Sequence, residues 1–126
     1  AAIGGAPQPV TPEQMRQWMR EYRERRTDAE GLRRELQGTG VDVSQLDQAI
    51  RGLRALEGQA PYRDPAGLAR LQEQVTEGFK AFEFTLRRQL AGGDESRPVL
   101  GGAQEVSPKY RAMVEEYYRS LGRGRQ

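Results

Sequence analysis

Three places in the chain pair a residue suited to capping a helix with a proline. The pairs are Thr11-Pro12, Asp64-Pro65 and Ser107-Pro108. The side-chain oxygen of the first residue can accept hydrogen bonds from the free N–H groups of a first helical turn. The proline costs nothing there, because its missing N–H would have no partner in the helix. The pattern therefore predicts helices that begin at about residues 12, 65 and 108.

Apolar residues recur every three or four positions after these pairs, which is typical of amphipathic helices. We predict four helices, at about residues 12–37, 45–57, 65–90 and 108–121. Ser44 is the expected cap of the second helix. The link between the first two helices is short, so they should be antiparallel neighbours.

The predicted fold class is all-α, an antiparallel three-helix bundle of two long helices and one shorter helix. A long connector over residues 91–106 should deliver the short C-terminal helix. We predict a helical domain over residues 11–121. It should be preceded by an extended arm or linker over residues 1–10 and followed by a basic flexible tail over residues 122–126.

The first predicted helix carries a heptad-like stripe that should pack against other helices at a shallow angle. Its members are Met15, Tyr22, Ala29 and Leu36, and a second seam holds Trp18 and Leu32 with Arg25 interrupting it. The same stripe could instead pair with a second copy of the chain, which keeps a homo-oligomeric bundle as an alternative. Phe84 lies off the apolar stripe of its own helix, so it should face solvent or a partner.

Composition narrows the possible functions. The chain has 20 basic and 18 acidic residues, a net charge of +2, and the two signs are evenly distributed along it. This balance argues against nucleic acid as a partner, although a nucleic-acid or cytosolic regulatory module remains an alternative.

The chain has no cysteine and no histidine. Disulfides, thiolate chemistry and imidazole ligands or proton transfer are therefore excluded.

No residue pattern indicates a reaction centre. Carboxylates do occur in pairs, at Glu73 and Glu77 and at Glu115 and Glu116. Such pairs could act in general acid/base catalysis or bind a divalent cation, but glutamates on a helix are usually just exposed to solvent. No glycine-rich loop has phosphate-binding spacing, and no apolar run approaches the roughly 20 residues of a membrane span. We expect neither enzyme activity nor a cofactor, a metal or a transmembrane segment.

The last predicted helix combines tyrosine and arginine, which are enriched among the anchors of protein interfaces. The residues concerned are Tyr110, Arg111, Tyr117, Tyr118 and Arg119. Tyr117 and Tyr118 are adjacent and point about 100° apart on a helix, so both cannot face the same core. We predict that this helix binds a partner. The N-terminal arm, through Ile3 and Val10, is a second predicted contact.

Two stretches resemble the helical C-terminal module of large, uncharacterised bacterial envelope proteins. The first is EGFKAFEF at residues 77–84 followed by Leu86-Arg87-Arg88, and the second is VSPKYR at residues 106–111 followed by VEEYYRSL at residues 114–121. The resemblance implies a helical module without a known catalytic residue. A free-standing copy also resembles an accessory subunit, without pigment, of a bacterial photosynthetic reaction-centre/light-harvesting supercomplex.

These observations predict a non-catalytic structural or binding subunit that docks on a larger, membrane-bound assembly and stabilises it. The resemblance implies an extracytoplasmic, periplasmic location at the membrane periphery, with a cytoplasmic location as the alternative. The first residues are small and lack an initiator methionine, which is consistent with a processed or trimmed N-terminus.

Overall fold

The structure is a computed structural model of the chain, and it describes residues 10–91 and 102–124. Within these residues lie four α-helices and no strand, so the predicted all-α class is confirmed. The helices are α1, Pro12–Leu36; α2, Ser44–Leu56; α3, Pro65–Leu90; and α4, Gly102–Gly124. A single-turn 3-10 helix, Ala60–Arg63, precedes α3.

The four helices form one bundle in which neighbours along the chain run antiparallel. Arg26 meets Glu57 and Arg33 meets Asp47, so α1 and α2 run in opposite directions. Helix α1 packs against α2 and α4, and α3 packs against the same two helices. The arrangement is an up-down-up-down bundle. Helix α4 is therefore a full member of the bundle, not an addition to three helices.

Helix α4 begins six residues earlier than predicted, and Pro108 lies inside it. It also runs to Gly124, so the predicted flexible tail does not begin at residue 122. The predicted start at Ser107 is therefore wrong, as is the predicted connector over residues 102–106. The reason is tertiary: Ala103 and Val106 are buried in the core. Burying these side chains offsets the cost of a proline that removes one helical hydrogen bond. The remaining predicted connector, residues 92–101, lies outside the described residues.

The helix caps follow the sequence only in part. At the start of α1, Thr11 and Gln14 form the predicted capping box, with N···O distances of 3.0 and 3.1 Å. Ser44 is not a cap, because it is the first residue of α2 and its N–H donates to Asp42 Oδ1 at 2.9 Å. Asp64 precedes α3 as expected, but its side chain accepts no capping hydrogen bond.

The predicted apolar stripes meet in a single core. Helix α1 contributes the stripe that the sequence could also have paired with a second chain. In the structure Tyr22, Ala29, Leu32 and Leu36 are buried by the chain's own helices. These four residues, on which the homo-oligomer hypothesis depends, are therefore already covered by other helices of the same chain.

Two glycines let α2 and α3 approach closely. A Cβ atom added to Gly52 would lie 2.6 Å from Val75 Cγ2, and one added to Gly78 would lie 3.1 Å from the backbone oxygen of Gln45. Glycine in a helix interior usually costs about 1 kcal/mol relative to alanine. Here the missing Cβ permits the contact, so these glycines are packing residues.

We expect Gly52→Ala to lower the free energy of unfolding by about 1–2 kcal/mol, because overpacking outweighs the gain in helix propensity. Val75 is fully buried and β-branched, so it cannot easily turn away. Urea denaturation of the purified chain measures the change. Adding Val75→Ala should relieve the clash, so the double variant should be more stable than the sum of the single changes implies.

Gly31→Ala is the matched control. Gly31 also lies inside a helix, but the nearest atom to an added Cβ is Arg34 Nη2 at 3.8 Å. The same chemical change should therefore raise the free energy of unfolding by about 0.5–1 kcal/mol. Equal effects at Gly31 and Gly52 would contradict the close approach of α2 and α3.

Candidate docking surface on helices α3 and α4

Tyr110 and Tyr117, two of the predicted partner-binding residues, lie in the core, with exposed fractions of 1% and 0%. The Tyr110 hydroxyl donates to the backbone oxygen of Phe79, and the Tyr117 hydroxyl donates to that of Gln72 at 3.0 Å. Burial raises the pKa of both phenols. Their assignment to a partner surface is corrected, because their rings and hydroxyls are used to attach α4 to α3.

Tyr118 is exposed, as the 100° offset from Tyr117 requires. Its exposed fraction is 40%, and its ring lies 5.7 Å from that of Tyr117, measured between centroids. Partial burial raises the pKa of the Tyr118 phenol, and the charges of Glu83 and then Glu77 add to this shift. Because both glutamates belong to α3, Tyr118 lies on the side of α4 that faces α3.

Phe84 on α3 is the most exposed large apolar side chain of the described residues, at 61%. Its predicted exposure is confirmed. The guanidinium carbon of Arg88 lies 5.7 Å from the centre of the Phe84 ring, a cation–π distance. An aromatic ring and an arginine are therefore presented together to solvent on this helix.

Arg111 and Arg119, the predicted arginine contacts, are both exposed. Arg111 precedes Tyr118 by seven residues, so both lie on the α3-facing edge of α4. Arg119 follows Tyr118 directly on α4, and its Nη1 pairs with Glu116 at 3.3 Å. We define the aromatic surface as Phe84, Arg88, Arg111, Tyr118 and Arg119.

The predicted contact through the N-terminal arm has little support in the described residues. Val10 is half-buried and packs against the chain's own core, so it does not form a free arm contact. Ile3 lies outside the described residues. The structure therefore leaves the aromatic surface as the main candidate.

A groove of about 570 Å³ runs between α1 and α4. Its lining includes Gly31 and Met113, and two ion pairs cross it. Glu35 lies 2.9 Å from Lys109, and Arg25 lies 3.9 Å from Glu116. The Arg25 that interrupts the predicted seam is only 12% exposed and bridges the helices by charge. The charged residues that line the groove pair with one another across it.

The described residues offer little that resembles a reaction centre. Residues 10–91 and 102–124 contain no group of acidic side chains placed to hold a metal ion. Glu73, Glu77 and Glu115 are exposed on helix surfaces, and Glu116 pairs with Arg119. No helix within the described ranges combines the length and apolar character needed to cross a membrane.

The structure changes the composition of the candidate site. Tyr118, Arg111 and Arg119 remain from the predicted set, and Phe84 with Arg88 joins them. The sequence predicts that Phe84 is exposed, because it lies off the apolar stripe of its helix. The packing of α3 beside α4 is visible only in the structure. Comparisons with protein-family models, with curated proteins and with solved structures gave no match to this chain.

Proposed function

We propose that the chain is a non-catalytic structural subunit that binds a larger protein assembly through the aromatic surface. The exposure of Phe84 and Tyr118 carries this proposal. In the described part of the chain these are the large apolar side chains that are exposed, at 61% and 40%. Aromatic rings beside arginines are enriched at the energetic centres of interfaces, because they bury a large area and keep a polar edge.

The energetics of the exposed Phe84 ring support a binding role. Covering the exposed part of Phe84 would contribute about 1–2 kcal/mol, which the isolated chain does not obtain. The Arg88 guanidinium on the same ring could also pair with a carboxylate of a partner. A surface of this kind suits a protein partner with an apolar recess bordered by acidic groups.

The partner we propose is a membrane-bound assembly on the extracytoplasmic side, with a photosynthetic reaction-centre/light-harvesting complex as the specific candidate. The support is the resemblance to envelope modules and to an accessory photosynthetic subunit. The stretches that carry it, residues 77–88 and 106–121, include all five residues of the aromatic surface.

Site-specific photo-crosslinking in membranes of the producing organism tests this proposal. A photoreactive phenylalanine analogue placed at Phe84 or Tyr118 should crosslink to the same membrane protein. Placed at Gln17, an exposed position on α1, it should give little product. The paired variant Phe84→Ser/Tyr118→Ser should also reduce co-purification of that protein by about tenfold or more, because two anchors are lost.

Gln17→Ser/Arg63→Ser is the control, since both positions are exposed and lie outside the aromatic surface. Equal crosslinking at positions 17, 84 and 118 would contradict the proposed surface. Crosslinks to nucleic acid, weakening steeply with salt, would support the nucleic-acid alternative instead.

A further inference from the structure

Helices α1 and α2 bring together a concentration of positive charge that the linear sequence does not show. We define the arginine face as six arginines of these two helices with the three carboxylates among them. The arginines are Arg23, Arg26, Arg33, Arg34, Arg51 and Arg54, and the carboxylates are Glu30, Asp47 and Glu57. The face therefore has an excess of three positive charges.

The three carboxylates are already used by arginines of the same face. Arg26 donates to Glu57 Oε1 at 3.1 Å and to Glu30 Oε1 at 2.8 Å, and Arg54 also donates to Glu30. The Arg54 hydrogen bond, with the charges of both arginines, holds the pKa of Glu30 below its usual value. All three carboxylates are therefore paired with arginines of the same face.

A cleft of about 470 Å³ lies at the centre of the arginine face. Arg33 pairs with Asp47 on its wall, and Ile50 is part of the lining. Arg34 from α1 and Arg51 from α2 also line it. Among the ion pairs within residues 10–91 and 102–124, none involves either guanidinium. Two unmatched arginines from different helices therefore border one concave site.

We propose that this cleft binds the phosphate group of an anionic phospholipid. A guanidinium presents a planar pair of N–H donors that matches two phosphate oxygens, and two such groups border the cleft. The excess charge around the cleft would attract an anion to it. The antiparallel α1–α2 pair offers a broad face to a planar surface, whereas its interleaved carboxylates interrupt the continuous positive track that a nucleic-acid backbone needs.

The arginine face and the aromatic surface lie on opposite sides of the bundle, because the α1–α2 and α3–α4 pairs are opposite edges. Both surfaces could therefore be occupied at the same time. Membrane binding through a few cations is weak on its own and is strengthened by a second anchor. The inference goes beyond the proposed function, and its test does not require the protein partner.

Sedimentation of the purified chain with vesicles tests the lipid site. We expect binding to vesicles rich in phosphatidylglycerol and little binding to vesicles of phosphatidylcholine. Arg34→Gln/Arg51→Gln should weaken phosphatidylglycerol binding by about tenfold or more, since two contacts are lost. The control Arg63→Gln/Arg70→Gln removes the same charge from exposed positions in the 3-10 helix and in α3, and it should weaken binding by less than about threefold. Thermal unfolding should show that both variants fold.

Three results would overturn the lipid site. Equal losses in the two double variants would show diffuse charge attraction without a site. A free-phosphate site would give two results together. Calorimetry would show inorganic phosphate binding that depends on Arg34 and Arg51, and sedimentation would show no preference for phosphatidylglycerol vesicles. Tighter binding to duplex DNA than to vesicles, lost in the same variant, would assign the face to nucleic acid. If cleft-dependent vesicle binding persists while crosslinking at Phe84 and Tyr118 fails, only the proposed function is rejected.

Discussion

Tyr117→Ala is expected to lower the free energy of unfolding by about 3–5 kcal/mol, the usual cost of truncating a buried aromatic residue. The Tyr117 ring is fully buried and packs edge-on against Phe79, with ring centres 5.2 Å apart. Its hydroxyl also lies 3.3 Å from Thr76 Oγ1. Removing the side chain leaves a cavity between α3 and α4, and much of the domain's stability would be lost.

Tyr118→Ala is the adjacent control and should cost about 1 kcal/mol or less, because the ring is already partly in water. Urea denaturation of both variants measures the difference. Tyr117→Phe should cost about 1 kcal/mol, since it keeps the ring and removes only the hydroxyl with its contacts to Gln72 and Thr76. Similar losses for Tyr117→Ala and Tyr118→Ala would show that α4 is not docked as described.

Alkaline pH should unfold the domain steeply above about pH 10, because burial raises the pKa of several tyrosines. The phenols concerned are Tyr22, Tyr62, Tyr110 and Tyr117, whose ordinary pKa is 10.0. Below pH 10 both the folded and unfolded chains keep them protonated, and stability is unaffected. Above pH 10 the unfolded chain loses protons that the folded chain retains, so stability falls as pH rises towards the folded pKa values.

The two fully buried phenols, Tyr110 and Tyr117, should each contribute a slope approaching about 1.4 kcal/mol per pH unit, and Tyr22 and the half-buried Tyr62 should add to it in the same direction. Denaturant titrations between pH 9 and 11.5, with tyrosinate absorbance followed in parallel, measure this slope. Tyr117→Phe should reduce the slope, because it removes one of the two fully buried phenols. Lys109, whose pKa is raised by Glu35, acts in the same direction, but it is exposed and its effect should be small. Stability that is constant up to pH 11 would contradict the burial of these rings.

Local sequence signals predict most of the helical structure because they depend on neighbouring residues. The capping box of Thr11 and Gln14 needs only a three-residue spacing, and the structure has it. The apolar stripe of α3 likewise predicts which residues are buried, from Leu68 to Leu86. Phe84 is predicted to be exposed for the same reason, since it lies off that stripe.

Local signals fail where a tertiary contact outweighs them. Ser107-Pro108 has the form of a helix start, but the burial of Ala103 and Val106 extends α4 past it. Tyr110 has the composition of an interface anchor, but its hydroxyl has a carbonyl acceptor on α3. No sequence pattern reports such an acceptor, so burial and docking could not be distinguished for this tyrosine.

The sequence alone determined the all-α class, the positions of α1, α2 and α3 and the exposure of one of two adjacent tyrosines, because helical periodicity and capping are local. Only the tertiary structure decided the rest. Packing of α4 between α1 and α3 buried Tyr110 and Tyr117 and put Tyr118 on the side facing Phe84's helix. Antiparallel pairing of α1 and α2 gathered arginines that are dispersed in a nearly neutral chain. Both outcomes depend on which helix faces meet, and the favoured arrangement is the one that buries the most apolar area and pairs the most charge.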